Sequence, residues 1–103
     1  MNAQLKRGVL EVCVLAALAK EDSYGYKLIK DISPYLAIAE STLYPILKRL
    51  EQNGSVEAYS VEHNNRLRKY YRITTSGHQR IALFLEEWKD LMHVYAFIKG
   101  EAQ

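Results

Sequence analysis

Apolar residues recur at helical spacing in four stretches of the chain, and between the third and fourth the spacing drops to two. From Gln4 to Lys20, Leu5, Val9, Val12, Cys13 and Ala16 mark one helical face, and Leu10, Val14, Leu15 and Leu18 mark another. A helix apolar on two sides is normally covered on two sides. This one is therefore expected to pack on the body and on something else, a partner subunit being the simplest candidate. Glu21-Asp22-Ser23 breaks the run, with Ser23 as a candidate N-cap. A short helix is predicted from Tyr24 to Ile32, with Tyr24, Leu28, Ile29 and Ile32 inward, and Ser33-Pro34 ends it. Tyr35 to Glu40 reads as a connection, partly extended at Ala37-Ile38-Ala39.

The third stretch runs from Ser41 to Gly54. At ~100° per residue, Leu43, Ile46, Leu47 and Leu50 fall on one narrow arc. The opposite arc carries Ser41, Thr42, Tyr44, Pro45, Lys48, Arg49 and Gln52, with Glu51 toward its edge. Ser41 is the predicted N-cap, which puts Pro45 in the first turn, where a missing N–H costs least. Asn53-Gly54 is the predicted stop. Two short helices joined by a brief link, the second with a polar outer face, form a helix-turn-helix pattern. An outer face of donors, cations and one aromatic ring suits the DNA major groove. An ordinary amphipathic surface helix has the same pattern.

After Gly54 the period is two. Val56, Ala58 and Ser60 alternate with Glu57, Tyr59 and Val61 in one strand, and Leu67 to Thr74 forms a second. Asn64-Asn65 suits the tip between them, because Asn tolerates left-handed backbone. Tyr70 and Tyr71 alternate faces, so one of them belongs to the core. A cation-rich hairpin behind a recognition-like helix is a wing. Ser76 with Gln79 fits a capping box for the last helix, with Thr74 or Thr75 as alternative caps. Ile81, Phe84, Trp88, Leu91, Tyr95 and Ile98 then follow at spacings of 3, 4, 3, 4 and 3, a heptad seam widened by Leu85 and Met92. The seam predicts a dimerisation helix; the alternative is a helix folded back on its own chain. The expected fold is mainly α with a small β-hairpin. It divides into a winged helix-turn-helix DNA-binding domain at residues 1–74 and a C-terminal dimerisation helix at residues 75–103.

The totals sharpen this picture little, and charge placement sharpens it more. At 103 residues and 49% hydrophobic content the chain is one domain, or one with an appendage, and has enough apolar material for a core. Net charge is only +2. Yet Arg66 to Arg80 holds five cations (Arg66, Arg68, Lys69, Arg72, Arg80) and no acid. Ile81 to Gln103 holds two cations against four acids. One part is thus suited to a polyanion and another is not. The single cysteine, Cys13, permits no internal disulfide, which fits a reducing cytoplasm. No leader-like segment and no membrane-length apolar run is visible.

Catalytic and metal chemistry needs clusters, and the chain offers none. His63, His78 and His93 lack zinc-like spacing, and the scattered glycines form no phosphate loop. The chain is therefore not expected to be an enzyme or to carry a cofactor or metal.

In this order of elements the residues resemble the PadR-like transcriptional regulators, in their short form. The segments that carry the resemblance are Leu5-Lys6-Arg7-Gly8-Val9-Leu10-Glu11, Tyr24-Gly25-Tyr26-Lys27-Leu28-Ile29 and Thr42-Leu43-Tyr44-Pro45-Ile46-Leu47-Lys48-Arg49-Leu50-Glu51. Arg68-Lys69-Tyr70-Tyr71-Arg72-Ile73-Thr74 with Gly77, and Glu87-Trp88, extend it over nearly the whole chain. The resemblance implies a winged helix-turn-helix homodimer that binds promoter DNA, usually as a repressor. It also implies release from DNA by small, often aromatic, compounds. Two positions depart from the family's pattern: Ser41 stands where a glycine often precedes the TLYP segment, and the wing tip is Asn64-Asn65 instead of glycine-rich.

Site expectations follow from both readings. Ser41 and Thr42 are expected at phosphate or base edges near a helix N-terminus, or simply as caps. Tyr44 either meets DNA or packs on its own hairpin. Pro45 and Lys48 share the outer arc, and Lys48 is expected to contact DNA. Arg49 either does the same or pairs with an acid. Arg66, Arg68 and Lys69 are expected at phosphate or an adjacent minor groove, unless they only guard a solvated strand edge. Tyr24 and Lys27 are expected near the DNA backbone. Leu5, Val9, Ile81, Phe84, Trp88, Leu91, Tyr95 and Ile98 are the candidate dimer contacts. Trp88, with Val9 and Cys13, is the candidate site for a planar aromatic effector, against the alternative that Trp88 only packs. A winged-helix protein–protein module that does not bind DNA remains the alternative function, though it has no need of the acid-free basic strand.

Overall fold

The first helix begins one residue before the predicted Gln4. The computed structural model describes residues 1–101, and Ala102 and Gln103, the end of the expected 75–103 unit, lie outside the described residues. Helix α1 spans Ala3–Lys20, with the Asn2 side chain accepting the Leu5 N–H at 2.8 Å. Leu10, Val14, Leu15 and Leu18 are buried, as is Glu11. The other apolar face stays open: Leu5 and Ala16 are exposed, and Val9, Val12 and Cys13 are only partly covered.

A short strand that the pattern did not suggest follows at Ser23–Tyr24 (β1), and helix α2 spans Gly25–Ile32. Ser23 is not a cap. It is buried in β1, paired with Tyr71, and the residue at the N-cap of α2 is Tyr24, which makes no side-chain cap bond. Backbone pairing with a neighbouring strand takes Ser23 away from the capping geometry. Tyr24 pairs with Tyr70 and lies outside α2.

Helix α3 spans Glu40–Gln52, starting two residues earlier than a Ser41 cap predicts. Ala39 occupies the N-cap in extended conformation, and its carbonyl accepts from the Thr42 and Leu43 N–H groups at 3.0 and 2.9 Å. Ser41 is therefore a first-turn residue and not the cap. Glu40 places an acid in the first turn, where the helix dipole favours it. Pro45 lies inside the helix instead of in its first turn, and it leaves the Ser41 carbonyl without a helical donor. Ser41 is exposed, so water can take that role.

Leu43, Ile46, Leu47 and Leu50 of α3 are all buried, as the narrow arc predicts. They join the α1 leucines, Leu28, Ile32, Ile38, Val56 and Tyr71 in one core. Each large aliphatic side chain buried there contributes about 1.5–3 kcal/mol of transfer free energy. Such contributions, more than helix propensity, hold a domain of this size together.

Strands β2 (Val56–His63) and β3 (Arg66–Ile73) form the hairpin, and β3 lies between β1 and β2 in an antiparallel sheet. Asn64 and Asn65 have φ of 51° and 63°. A two-residue tip with both residues left-handed is a type I′ turn, whose twist matches the strands. The register pairs Ala58 with Tyr71 and Tyr59 with Tyr70. Tyr71 is the core member of the tyrosine pair. Tyr70 faces the other way, 5.2 Å from Tyr24 and 5.8 Å from Tyr59 between ring centroids.

Thr74 caps helix α4, which spans Thr75–Lys99, so the Ser76–Gln79 box is not used. The Thr74 hydroxyl accepts from Gly77 N–H at 3.2 Å and lies 2.6 Å from the Gly54 carbonyl, to which it donates. One hydroxyl thus joins the end of α3 to the start of α4. Gly77 is buried against Ser55 and Ile73, and a Cβ there would lie 2.6 Å from Ile73 Cγ1. Beyond its first turns α4 is little covered. Phe84 is half-buried, Trp88 is 42% exposed and Ile98 77%. At ~1.5 Å per residue the helix is a long rod, which fits the extents of 61 × 26 × 21 Å. A helix wrapped back over its own core would be covered along its length, and α4 is not. Among the described residues no helix is long and apolar enough to cross a membrane.

Candidate nucleic-acid interface

The outer face of α3 presents Ser41, Thr42, Tyr44, Pro45 and Lys48, all exposed. The buried leucine arc dictates this: with Leu43, Ile46, Leu47 and Leu50 inward, those positions point out. Tyr44 leans toward α2. A Cβ on Gly25 would lie within 2.9 Å of Tyr44 Cζ and would press on its hydroxyl, so Gly25 makes room for the ring. Tyr44 is 48% exposed. It packs against the start of α2 and keeps an open edge, and its hydroxyl lies near backbone N–H groups of a helix N-terminus.

Across from Tyr44, β3 brings Arg68 and Lys69. Tyr24, Gly25, Tyr26, Tyr44, Arg68, Lys69 and Tyr71 line one open cleft of about 540 Å³ between α2, α3 and the wing. Two cations, a helix N-terminus and several phenol groups make it suited to an anion. Arg68 stacks on Tyr24, its guanidinium carbon 4.1 Å from the ring centroid. This contact orients the side chain without neutralising it. Lys69 lies 3.6 Å from Glu51 of α3 and 5.5 Å from the Tyr71 ring centre. Arg66 stands at the exposed wing tip. Neither Lys48, Arg66 nor Arg68 has a carboxylate within ion-pair distance among the described residues.

Two expected contact residues have other company. Lys27 is held by Glu21 and Asp31, each at 2.8 Å. Its ammonium is pushed well above the usual lysine range, first by the hydrogen bond to Asp31 and then by that to Glu21. It lines a different cleft from Tyr24 and Tyr44. Arg49 turns toward α1, its Nη1 3.7 Å from Glu11 Oε1, so of its two expected roles the structure displays the pairing with an acid.

The pattern along the chain missed three residues. Lys6 and Arg7, at the start of α1, border a cleft of about 570 Å³ with Ala39 and Thr42 at the start of α3. The Lys6-Arg7 pair is visible in the sequence, but only the fold brings it beside Thr42. Tyr26 is exposed at the mouth of the α2–wing cleft. Aromatic exposure is the signal, and it is invisible before the helix is docked.

The cleft that Cys13 lines includes neither of the other expected effector residues. Cys13 lines a cleft of about 450 Å³ between α1 and α2 with Ala16, Ala17, Lys20 and Tyr35, which neither Val9 nor Trp88 borders. Burial pushes the Cys13 thiol above its usual range. Trp88 instead stacks on Phe84, with centroids 5.8 Å apart and planes 23° from parallel. Trp88 sits on α4 and Val9 on the open face of α1, away from that cleft.

Known proteins fit this geometry. A sequence model of the transcriptional regulator PadR-like family matches residues 14–83, from within α1 to the first turns of α4. A solved transcriptional regulator from Clostridium thermocellum superposes with a TM-score of 0.83 at 34% identity, over 92% of this chain and 94% of that one. A solved protein from Streptococcus mutans gives 0.81 at 39% identity, over 94% and 92%. PadR from Bacillus subtilis, solved in complex with operator DNA, gives 0.70 at 26% identity, over 75% of this chain and 46% of that one. The winged-helix fold is thus shared along nearly the whole length of two of these relatives. With α3, the wing and α4 in this arrangement, the chain belongs to the PadR-like family of transcriptional regulators, which are not enzymes.

Proposed function

We propose that the chain is a dimeric, sequence-specific DNA-binding regulator, acting as a repressor that a small planar aromatic effector releases. The observation that carries DNA binding is the exposed α3 face, where Lys48 has no carboxylate within ion-pair distance among the described residues, flanked by Arg66 and Arg68 of the wing. The operator complex of the Bacillus subtilis relative supports the same reading. In this reading the first half of α3 enters the major groove. Ser41, Thr42, Tyr44 and Lys48 meet base edges and phosphates. Arg66, Arg68 and Lys69 follow the adjacent backbone or minor groove. Tyr24 closes the cleft in which a phosphate sits. Residues 1–74 form the DNA-binding part.

The dimer reading rests on two open apolar surfaces, the Leu5–Val9 face of α1 and the Trp88 to Ile98 part of the α4 seam, whose first members Ile81 and Phe84 are partly covered, Ile81 by the chain's own core. Contiguous apolar surface on this scale is unfavourable in water. A second copy offers matching faces, and residues 75–103 then carry the interface. Two copies of Trp88 brought together by α4 provide flat walls for an aromatic effector. Such a regulator works in the cytoplasm, where its DNA is.

The test is fluorescence anisotropy of a labelled duplex from the DNA flanking the gene, with random duplex as control, at several salt concentrations. The expected outcome is tighter binding to the flanking duplex and two chains per site. A falling log K is expected too, with a slope of ~0.9 per neutralised phosphate. Half-sites about one helical turn apart, ~34 Å, are expected in a footprint. Equal and feeble binding to both duplexes, with no duplex enriched from a random library, would sink the proposal in favour of a protein–protein module. Trp88 emission titrated with planar aromatics tests the effector, and flat emission across a varied panel removes it.

A further inference from the structure

Glu11 is an unusual member of the core. Its side chain is only 10% exposed, and Oε1 is buried with no hydrogen-bond partner among the described residues. The cation that answers it is Arg49 on the recognition helix, at 3.7 Å, too long for a hydrogen bond. The Arg49 side chain is itself about half exposed, one position beyond Lys48 on a face that presents cations to solvent. A buried carboxylate left without its cation is strongly unfavourable. Arg49 is therefore tethered to α1, although its place in the sequence suits a phosphate contact.

We propose that Glu11 is a positioning residue that withholds Arg49 from DNA and thereby limits indiscriminate phosphate binding by the recognition helix. The proposal rests on the DNA-binding reading above. Phosphate contacts raise affinity for any duplex and carry no sequence information, whereas base contacts discriminate. Holding one arginine back lowers the affinity for every duplex by about the same factor, so a larger share of the affinity that remains comes from base contacts. The tether also fixes the α3 register against α1, because Glu11 and Arg49 lie on the two elements that flank the core.

The experiment measures the salt dependence of binding to random duplex, which requires no knowledge of the operator. Glu11→Gln keeps the size of the side chain and frees Arg49. It is expected to bind random duplex more tightly than wild type and to steepen the slope by up to ~0.9, one phosphate. Arg49→Gln and the double variant Glu11→Gln/Arg49→Gln are expected to keep the wild-type slope. The double variant leaves no charge stranded and preserves net charge, so it reports even if a single variant unfolds. Glu86→Gln, on exposed α4, controls for the added charge of Glu11→Gln. A role confined to stability would lower the melting temperature and leave every slope in place, which would overturn the proposal. A slope about one phosphate shallower in the double variant would overturn it too, since Arg49 would then already contact DNA. If wild type binds no duplex, the DNA-binding reading itself fails, which is a separate outcome.

Discussion

Lys48 and Arg49 are adjacent cations on one exposed helix face, and the fold gives them different tasks. Lys48 has no acid partner among the described residues, while Arg49 is answered by Glu11. The outward position of Lys48 follows from the leucine arc alone. The partner of Arg49 does not, because Glu11 lies on another helix and its burial is set by packing. Lys48→Ala is expected to lower duplex affinity and to reduce the salt slope by ~0.9, with an unchanged circular dichroism spectrum. An unaltered slope would remove Lys48 from the interface. Lys27 illustrates the reverse: it reads as a free cation in sequence, but its ammonium is shared by Glu21 and Asp31. A periodicity shows which side of a helix is wet, not which charges meet there.

At the scale of elements, helices and hairpin were legible where the pattern was regular. The type I′ tip at Asn64-Asn65 and the buried arc of α3 needed only local chemistry. The β1 strand was not legible, since two residues carry no period, and its pairing with Tyr70 and Tyr71 comes from a distant segment. The start of α3 moved by two residues because the Ala39 carbonyl, and no side chain, closes the first turn. The α3–α4 junction makes a sharper test. A Cβ on Gly77 would meet the Ser55 backbone as well as Ile73. Gly77→Ala is expected to cost about 1–3 kcal/mol, as overpacking does, read from urea denaturation. An unchanged midpoint would mean that the junction yields easily. The sheet carries a pH signature. The Tyr59 hydroxyl bonds to Asp22, which raises its pKa, and burial raises that of Tyr71. Both fall above the ordinary value of 10.0. Their contribution to stability is complete below that pH and is lost as pH rises through the folded values. Melting temperature is therefore expected to fall above about pH 10, and less steeply in Tyr59→Phe.

At the scale of the whole molecule, one chain leaves apolar faces of α1 and α4 open to solvent. Leu91, half exposed on the α4 seam, makes the test simple, because its replacement disturbs little within one chain. Leu91→Glu is expected to convert dimer to monomer in sedimentation velocity and to weaken operator binding, since each half-site is then bound alone. Wild type sedimenting as a monomer at micromolar concentration would contradict the dimer.

The sequence by itself determined the two periods, the order of the elements, the apolar arc of α3, the basic strand and the family. These are properties of neighbours along the chain, set by backbone geometry and burial. Only the tertiary structure decided which carboxylate holds Arg49, which acids hold Lys27, that Gly25 makes room for Tyr44, and that Ser23 is strand and not cap. Each of these is a contact between segments far apart in sequence. A local pattern records that a face must be covered, and the packing of the whole chain decides by what.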